Sequence, residues 1–197
     1  MKDTKFSMRV SYRPGWARFC GAVLRKMGWT VDDGPAPENK VVMLGVPHTS
    51  MWDFVISYLF YTSVGRVAHV MIKKELFWWP LGWFLRSCGC IPVDQSSPSA
   101  MVKSLIGIME DVEVFHLALA PEGSRDPVKR WKTGYHLIAK ETGATVYMSY
   151  FDWKTKHVGI GKKVELTDDA RADTQRIQAM YEEMGLVGKH PEKYVTH

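Results

Sequence analysis

The sequence has few of the features that define a protein class at once. It holds 3 cysteines in 197 residues, at positions 20, 88 and 90, and no C-x-x-C pair occurs. This pattern predicts neither a zinc site nor a disulfide framework, and it is typical of a reducing compartment. The polar opening residues predict no secretory signal. No run reaches the roughly 18 apolar residues that a membrane-spanning helix requires, so we expect no transmembrane helix.

Positive charge and tryptophan are the two features in excess. The formal net charge is +5, the sequence pI is near 9.0, and there are 8 Trp. Hydrophobic residues (46%) and charged residues (24%) are at ordinary globular levels, which excludes a disordered chain. The basic residues are dispersed and form no nucleic-acid motif, so we expect no nucleic-acid partner.

A polar, turn-rich stretch at residues 32–40 divides the chain. We expect a single domain over residues 1–197, with an N-terminal amphipathic segment at 1–35, a motif-bearing core at 40–152, and a C-terminal hairpin and helix at 153–197. Apolar side chains recur at helical spacing between Trp16 and Met27. This spacing predicts an amphipathic helix over 16–29, beginning near Pro14 and ending at Gly28.

After residue 40, strand-like and helix-like segments alternate. The predicted strands are 41–46, 67–72, 90–93, 114–120 and 145–151, and the predicted helices are 52–63, 76–87 (broken near Pro80 and Gly82), 98–110, 131–142 and 169–184, with a hairpin near 153–166. This alternation predicts an α/β fold, a single layered domain with a largely parallel sheet flanked by helices.

The first candidate site follows the strand 41–46, where His48 precedes Asp53. On one straight helix these residues would point about 140° apart, but they meet if His48 lies in a turn and Asp53 in the first helical turn. Ser50 favours that arrangement, since Ser50 and Asp53 have the spacing of a capping box. A histidine oriented by a carboxylate can act as a general base. The alternative is a plain helix cap beside a loop histidine.

The second candidate site, Glu122-Gly123-Ser124-Arg125, directly follows the strand 114–120. Gly123 permits a tight turn, and the forked guanidinium of Arg125 suits a phosphate. The alternative is a solvated basic loop. Between the two sites, Lys73 and Lys74 precede an aromatic run at residues 77–84, whose Pro80 and Gly82 make a poor core helix. This run fits an apolar groove or a membrane-facing surface better.

Taken together, these blocks resemble the glycerolipid acyltransferase family of the lysophosphatidic acid (1-acylglycerol-3-phosphate) type. The resemblance covers residues 40–152 and rests on the order of the blocks. They are an H-x4-D block at His48–Asp53, a second block at Lys73-Lys74-Glu75-Leu76, Pro80-Leu81-Gly82 and Gly89–Asp94, and an E-G-T-R-like block at Glu122–Arg125, with Ser124 in place of Thr.

The resemblance implies a role for each block. His48 is implied as the general base for the acceptor hydroxyl, and Asp53 as its orienting partner. Lys73 and the block Glu122, Gly123, Ser124 and Arg125 are implied to bind the phosphate of the acceptor. The hydroxyl of a lysophospholipid then attacks an acyl thioester, carried by coenzyme A or acyl carrier protein. No metal and no other cofactor is implied.

Two departures from the family pattern leave the acceptor open. Asp126 follows Arg125 where a small polar residue is usual, and the strand at 146–150 lacks the proline of the fourth block. The alternatives are a different acceptor, such as a lyso-ornithine lipid or another hydroxyl compound, and a non-catalytic lipid-binding protein. We also expect the helix 16–29 to lie on the cytoplasmic face of a membrane as a peripheral contact, with Arg18, Arg25 and Lys26 at the head groups.

Overall fold

The computed structural model describes residues 13–32, 34–94 and 96–194. Nine strands and six α-helices make up these ranges. In chain order they are α1 (Pro14–Lys26), β1 (Thr30–Val31), β2 (Lys40–Leu44), α2 (Met51–Ser63), β3 (His69–Lys73), α3 (Leu81–Ser87), β4 (Ile91–Val93), α4 (Pro98–Glu110), β5 (Phe115–Leu119), α5 (Gly134–Thr142), β6 (Thr145–Tyr147), β7 (Tyr150–Asp152), β8 (His157–Gly159), β9 (Lys163–Val164) and α6 (Ala170–Glu183).

A six-stranded sheet forms the centre, in the order β4-β3-β5-β2-β6-β9. Its first five strands are parallel, and β9 runs antiparallel to β6. A smaller sheet has the order β1-β8-β7 and touches the larger one where Val46 pairs with Tyr150. The predicted α/β fold with a largely parallel sheet is therefore confirmed.

Successive side chains of β2 point to opposite faces of the sheet, and each face carries its own helices. Val42 and Leu44 join one core cluster with buried side chains of α4, α5 and α6. Val41 and Met43 join a second cluster with buried side chains of α1 and α2. The sheet is thus covered on both faces, as expected for parallel strands.

The predicted strand over residues 145–151 is two strands in two different sheets. The N–H of Met148 donates to the carbonyl of Lys162, and the carbonyl of Ser149 accepts from Val46 N–H and from the hydroxyl of Tyr181. These bonds interrupt the β6 ladder at the position where the chain crosses to the smaller sheet. The hairpin accordingly begins earlier than predicted, with β7 and β8 as its arms.

The N-terminal helix and the broken helix form close to the predicted positions. Helix α1 has Pro14 in its first turn and ends at Lys26, two residues before Gly28 adopts a positive φ of 81°. Residues 1–12 of the predicted N-terminal segment lie outside the described residues. Before α3 the chain folds back so tightly that a Cβ at Gly82 would lie 2.3 Å from the carbonyl oxygen of Phe77. No helix within the described ranges has both the length and the apolar character needed to cross a bilayer.

Candidate active site

The candidate residues lie at one edge of the central sheet. Strands β3, β5 and β2 are neighbours and run parallel, so their carboxyl ends lie side by side. Lys73 ends β3, the block at 122–125 follows β5, and His48 follows β2. In open α/β sheets, ligands bind at this edge. The topology therefore brings three separate sequence blocks to one place.

His48 and Asp53 meet as the capping-box spacing predicts. His48 lies in the turn before α2, Ser50 is the N-cap, and Asp53 is in the first helical turn. The distance from His48 Nδ1 to Asp53 Oδ2 is 3.4 Å. Catalytic hydrogen bonds are often this long before substrate binds. With Nδ1 directed at the carboxylate, the Nε2 atom of the half-buried His48 ring has no partner among the described residues.

The carboxylate of Asp53 is held from both of its oxygens. Its Oδ2 accepts the backbone N–H groups of Thr49 (2.8 Å) and Ser50 (2.7 Å), and its Oδ1 accepts the indole N–H of Trp153 (2.8 Å). Only 1% of Asp53 is exposed. These three donors fix the orientation of the carboxylate, so it has one position relative to the imidazole of His48.

Glu122 supports the turn that carries His48. Both carboxylate oxygens of Glu122 accept the backbone N–H of His48, at 3.1 and 3.0 Å. Glu122 is 6% exposed, and burial, together with the negative charge of the nearby Asp53, raises its pKa to about 8. The glutamate of the second candidate site is therefore bonded to the first candidate site.

The rest of the second candidate site faces solvent. Gly123 has a positive φ of 68° and lies against the stem of Lys132. The hydroxyl of Ser124 accepts the N–H of Asp126 at 3.1 Å. The side chains of Arg125 and Lys73 are exposed and have no hydrogen bond or ion pair to any other described residue. Both cations are thus available at the edge where His48 lies.

The ends of the second block are joined by an ion pair. Lys74 Nζ lies 2.5 Å from Asp94 Oδ2 at the carboxyl ends of the paired strands β3 and β4. The Lys74 ammonium, together with hydrogen bonds from Ser96, lowers the pKa of Asp94 far below its ordinary value. Lys74 is therefore occupied by this ion pair, whereas the side chain of the neighbouring Lys73 has no partner among the described residues.

A segment near the C-terminus crosses the same edge of the sheet. We call residues 187–194 the C-terminal strap. The N–H of Val187 donates to Oδ1 of Asp152 (3.1 Å), and the carbonyl of Val187 accepts the N–H of Trp153 (2.9 Å). The N–H of His190 donates to the hydroxyl of Thr49 (3.2 Å). Lys193 forms an ion pair with Asp126 (3.4 Å). The strap therefore runs from the end of β7, past the first block, to the loop that carries the second candidate site.

Lys189 of the strap is held between two tryptophans. Its ammonium lies 4.6 Å from the ring centre of Trp52 and 4.9 Å from that of Trp153. Trp153 also makes an edge contact with Trp29, with ring centres 5.0 Å apart. Two parts of the chain that are distant in sequence, Trp29 and Lys189, thus fix the ring whose N–H reaches Asp53.

The sequence did not point to Trp153, Thr49 or the C-terminal strap. The contacts of Trp153 and His190 with the first block span 100 and 141 residues and follow no local spacing. The predicted pair His48 and Asp53 is brought together, and Glu122 joins it through the backbone. Among the described residues, no three His, Cys, Asp or Glu side chains are grouped so that they could hold a metal ion.

Comparison with known proteins decides the family. The family model described as Acyltransferase matches residues 30–151, which contain His48, Asp53, Lys73 and the 122–125 block. The chain belongs to the acyltransferase family. Trp153 and the strap lie outside the segment that the acyltransferase model matches.

Two relatives of this acyltransferase-family chain are informative. It is 27% identical over 155 residues to the 1-acyl-sn-glycerol-3-phosphate acyltransferase of Streptococcus pneumoniae (strain ATCC BAA-255 / R6), an alignment that covers 73% of this chain and 57% of that protein. The chain therefore matches little more than half the length of that curated relative. The crystal structure of the 1-acyl-sn-glycerophosphate (LPA) acyltransferase PlsC from Thermotoga maritima superposes with a TM-score of 0.62 at 16% identity, over 94% of this chain and 84% of that one. The two proteins share the fold.

Proposed function

We propose that this protein is an O-acyltransferase that moves a fatty acyl group from a thioester to the hydroxyl of a lysophospholipid, with lysophosphatidic acid as the first acceptor. The observation that carries the proposal is the pair His48–Asp53, with a 3.4 Å contact at the carboxyl edge of the sheet. Membership of the acyltransferase family and the activities for which the two relatives are named support the same reaction class.

The proposed reaction begins at Nε2 of His48. This nitrogen takes the proton of the acceptor hydroxyl while Asp53, facing Nδ1, stabilises the imidazolium that forms. The oxygen attacks the thioester carbonyl and forms a C–O bond. The C–S bond then breaks, and the proton on His48 passes to the leaving thiolate. The products are an ester and a free thiol, and no cofactor beyond the thioester co-substrate takes part.

Arg125 and Lys73 are the proposed partners of the acceptor phosphate. Both are exposed cations without a side-chain partner among the described residues. Lys73 ends β3, and Arg125 follows the neighbouring strand β5. A forked guanidinium and a mobile ammonium together suit a phosphate monoester. The carboxylate of Asp126 beside Arg125 is paired with Lys193, which offsets part of its repulsion toward an anionic acceptor.

We also propose that the protein binds peripherally to the cytoplasmic face of a membrane. Its exposed aromatic surface consists of Trp16, Phe19, Trp78, Trp79, Trp83 and Phe84, of which Trp79 is 85% exposed. Tyr58 of α2 connects the two halves of this surface, because its hydroxyl accepts the indole N–H of Trp16 while its ring packs beneath α3. Aromatic side chains of this kind favour the bilayer interface.

The catalytic proposal is tested by acceptor-dependent thiol release from acyl-coenzyme A and from acyl carrier protein, with lysophosphatidic acid, a lyso-ornithine lipid and other hydroxyl acceptors. We expect release with lysophosphatidic acid that is lost in His48→Ala and in Asp53→Asn, while circular dichroism stays unchanged. Lys103→Ala, an exposed change on α4, serves as the control. Thiol release with another acceptor but not with lysophosphatidic acid would make that compound the acceptor. No release with any pair of donor and acceptor would favour a non-catalytic lipid-binding protein.

The membrane proposal is tested by sedimentation with vesicles that contain anionic lipid. We expect the wild type to sediment and a Trp79→Ser/Trp83→Ser variant to stay in solution, since both side chains are largely exposed and their loss leaves the core intact. Equal sedimentation of the two proteins would contradict the proposed surface.

A further inference from the structure

A groove of about 680 Å³ lies on the side of the molecule formed by α6 and the loop before α5. The loop contributes Lys129, Arg130 and Lys132, and the helix contributes Arg171, Gln175 and Gln178. The groove extends along α6 as far as Glu182, and the rise from Arg171 to Glu182 corresponds to about 16 Å of helix. Its size is that of a small-molecule site.

The charge of the groove is strongly positive and largely uncompensated. Lys129, Arg130, Lys132 and Arg171 make no side-chain hydrogen bond or ion pair with any described residue. Glu182 is the one carboxylate in the lining, against four cations. Cations that repel one another without a protein partner indicate an anionic ligand more than a structural role.

The groove begins beside the candidate active site. The N–H of Lys132 donates to the carbonyl of Pro121 at 2.7 Å, and the Lys132 stem lies against Gly123. Trp131, which lines the groove, is buried against Tyr181, whose hydroxyl donates to the carbonyl of Leu44 just before the His48 turn. The wall of the groove is therefore bonded to the loop that carries the second candidate site and to the strand that precedes His48.

The two sides of the molecule differ in the kind of surface they present. The exposed aromatic surface belongs to α1 and to the α3 region, on the face of the sheet covered by α1 and α2. The groove belongs to α6, on the opposite face. A donor with an apolar chain at one end and a multiply charged group at the other matches this division, with its thioester at the carboxyl edge between them.

From these observations, and resting on the proposed function, we propose that the groove binds the phosphorylated nucleotide end of coenzyme A. Its diphosphate and 3′-phosphate supply several negative charges for Lys129, Arg130 and Arg171. Gln175, Gln178 and Thr133 line the groove with hydrogen-bonding groups suited to an adenine or ribose. A concave site of this volume fits a nucleotide better than the convex acidic helix of a protein carrier.

The first arm of the test measures binding alone. Isothermal titration of coenzyme A and of pantetheine into the full chain compares wild type with Arg130→Glu/Arg171→Glu and with the neutral variant Arg130→Gln/Arg171→Gln. We expect the charge reversal to weaken coenzyme A binding by about tenfold or more, and the neutral variant to weaken it less. Lys103→Glu on α4 is the matched control and should change the affinity little. Equal affinity in wild type and double variant, or no binding at millimolar coenzyme A, overturns the proposal.

The second arm measures kinetics with three donors, which are acyl-coenzyme A, the S-acyl pantetheine and acyl carrier protein. The charge reversal should raise KM for acyl-coenzyme A and leave KM for the S-acyl pantetheine and for the acceptor unchanged. A rise only with acyl carrier protein would assign the groove to a protein carrier and overturn the nucleotide assignment. If wild type binds coenzyme A through the groove but transfers no acyl group to any acceptor, the proposed function fails while the binding site stands.

Discussion

The indole N–H of Trp153 donates a hydrogen bond to Oδ1 of Asp53 at 2.8 Å, across 100 residues of sequence. The other oxygen of the same carboxylate faces His48 and the backbone N–H groups of the turn. Trp153 is therefore a positioning residue for the candidate pair, although it follows the segment that defines the family. Its ring is in turn fixed by Trp29 and Lys189.

Trp153→Phe removes this N–H and keeps most of the ring. A hydrogen bond to a charged group contributes about 1.5–3 kcal/mol, so we expect kcat of acyl transfer to fall about tenfold or more, with KM for both substrates unchanged. The pH profile of kcat should also change if Asp53 orients the base as proposed. Trp29→Phe is the control, since it changes the neighbouring ring and leaves the bond to Asp53 in place. Equal loss in both variants would mean that only packing matters.

Glu122 makes stability depend on pH in a predictable direction. Its pKa is raised from 4.5 to about 8 in the folded protein, so between these values the folded state binds more protons than the unfolded state. The free energy of unfolding should therefore fall as pH rises from about 5 to 8, on the order of a few kcal/mol. Glu122→Gln, which keeps an acceptor for the His48 N–H, should lose most of this fall. Urea unfolding at pH values of about 5 and about 8 measures the free energy of unfolding of the wild type and of Glu122→Gln. An equal fall in both proteins would contradict the prediction.

Two glycines in helices should respond in opposite ways to alanine. A Cβ at Gly82 would lie 2.3 Å from the carbonyl oxygen of Phe77, whereas a Cβ at Gly107 in α4 meets nothing within 4 Å. We expect Gly107→Ala to stabilise the protein by about 0.5–1 kcal/mol, as usual within a helix. Gly82→Ala should destabilise it by more than that, because the backbone itself must move. Thermal unfolding of the pair measures both, and a similar Tm for the two variants would contradict the close approach.

Lys189 should stabilise the strap through its charge. Lys189→Met keeps an apolar stem of similar length and removes the ammonium from the faces of Trp52 and Trp153. Two cation–π contacts of about 0.5–1 kcal/mol each predict a lower Tm and a change in tryptophan fluorescence. Lys103→Met, on the exposed face of α4, is the control. The prediction fails if both variants unfold at the wild-type temperature.

Local patterns predicted most of the fold. Alternating apolar runs placed five strands of the central sheet, and the capping box of Ser50 and Asp53 predicted how His48 and Asp53 would meet. The N-terminal helix was found from its periodicity, although its end at Lys26 was missed by a few residues. These features depend on neighbours within a few positions, which the sequence displays directly.

Contacts between distant segments could not be predicted in this way. Nothing near Trp153 signals that its N–H reaches Asp53, and nothing near His190 signals a bond to Thr49. The break between β6 and β7 was also missed, because it depends on Lys162 and Tyr181 meeting the chain from elsewhere. Such contacts follow from the packing of the completed fold and leave no spacing in the sequence.

The bond between Thr49 and His190 also affects the order in which contacts form while the chain is synthesised. The indole of Trp153 is synthesised 100 residues after Asp53, and His190 of the strap is synthesised 141 residues after Thr49. Contacts of such large sequence separation form late in folding. A nascent chain therefore forms the turn that carries His48 and Asp53 before Trp153 and the strap are present to hold it, and both contacts are added only after the parallel strands of the central sheet have been synthesised.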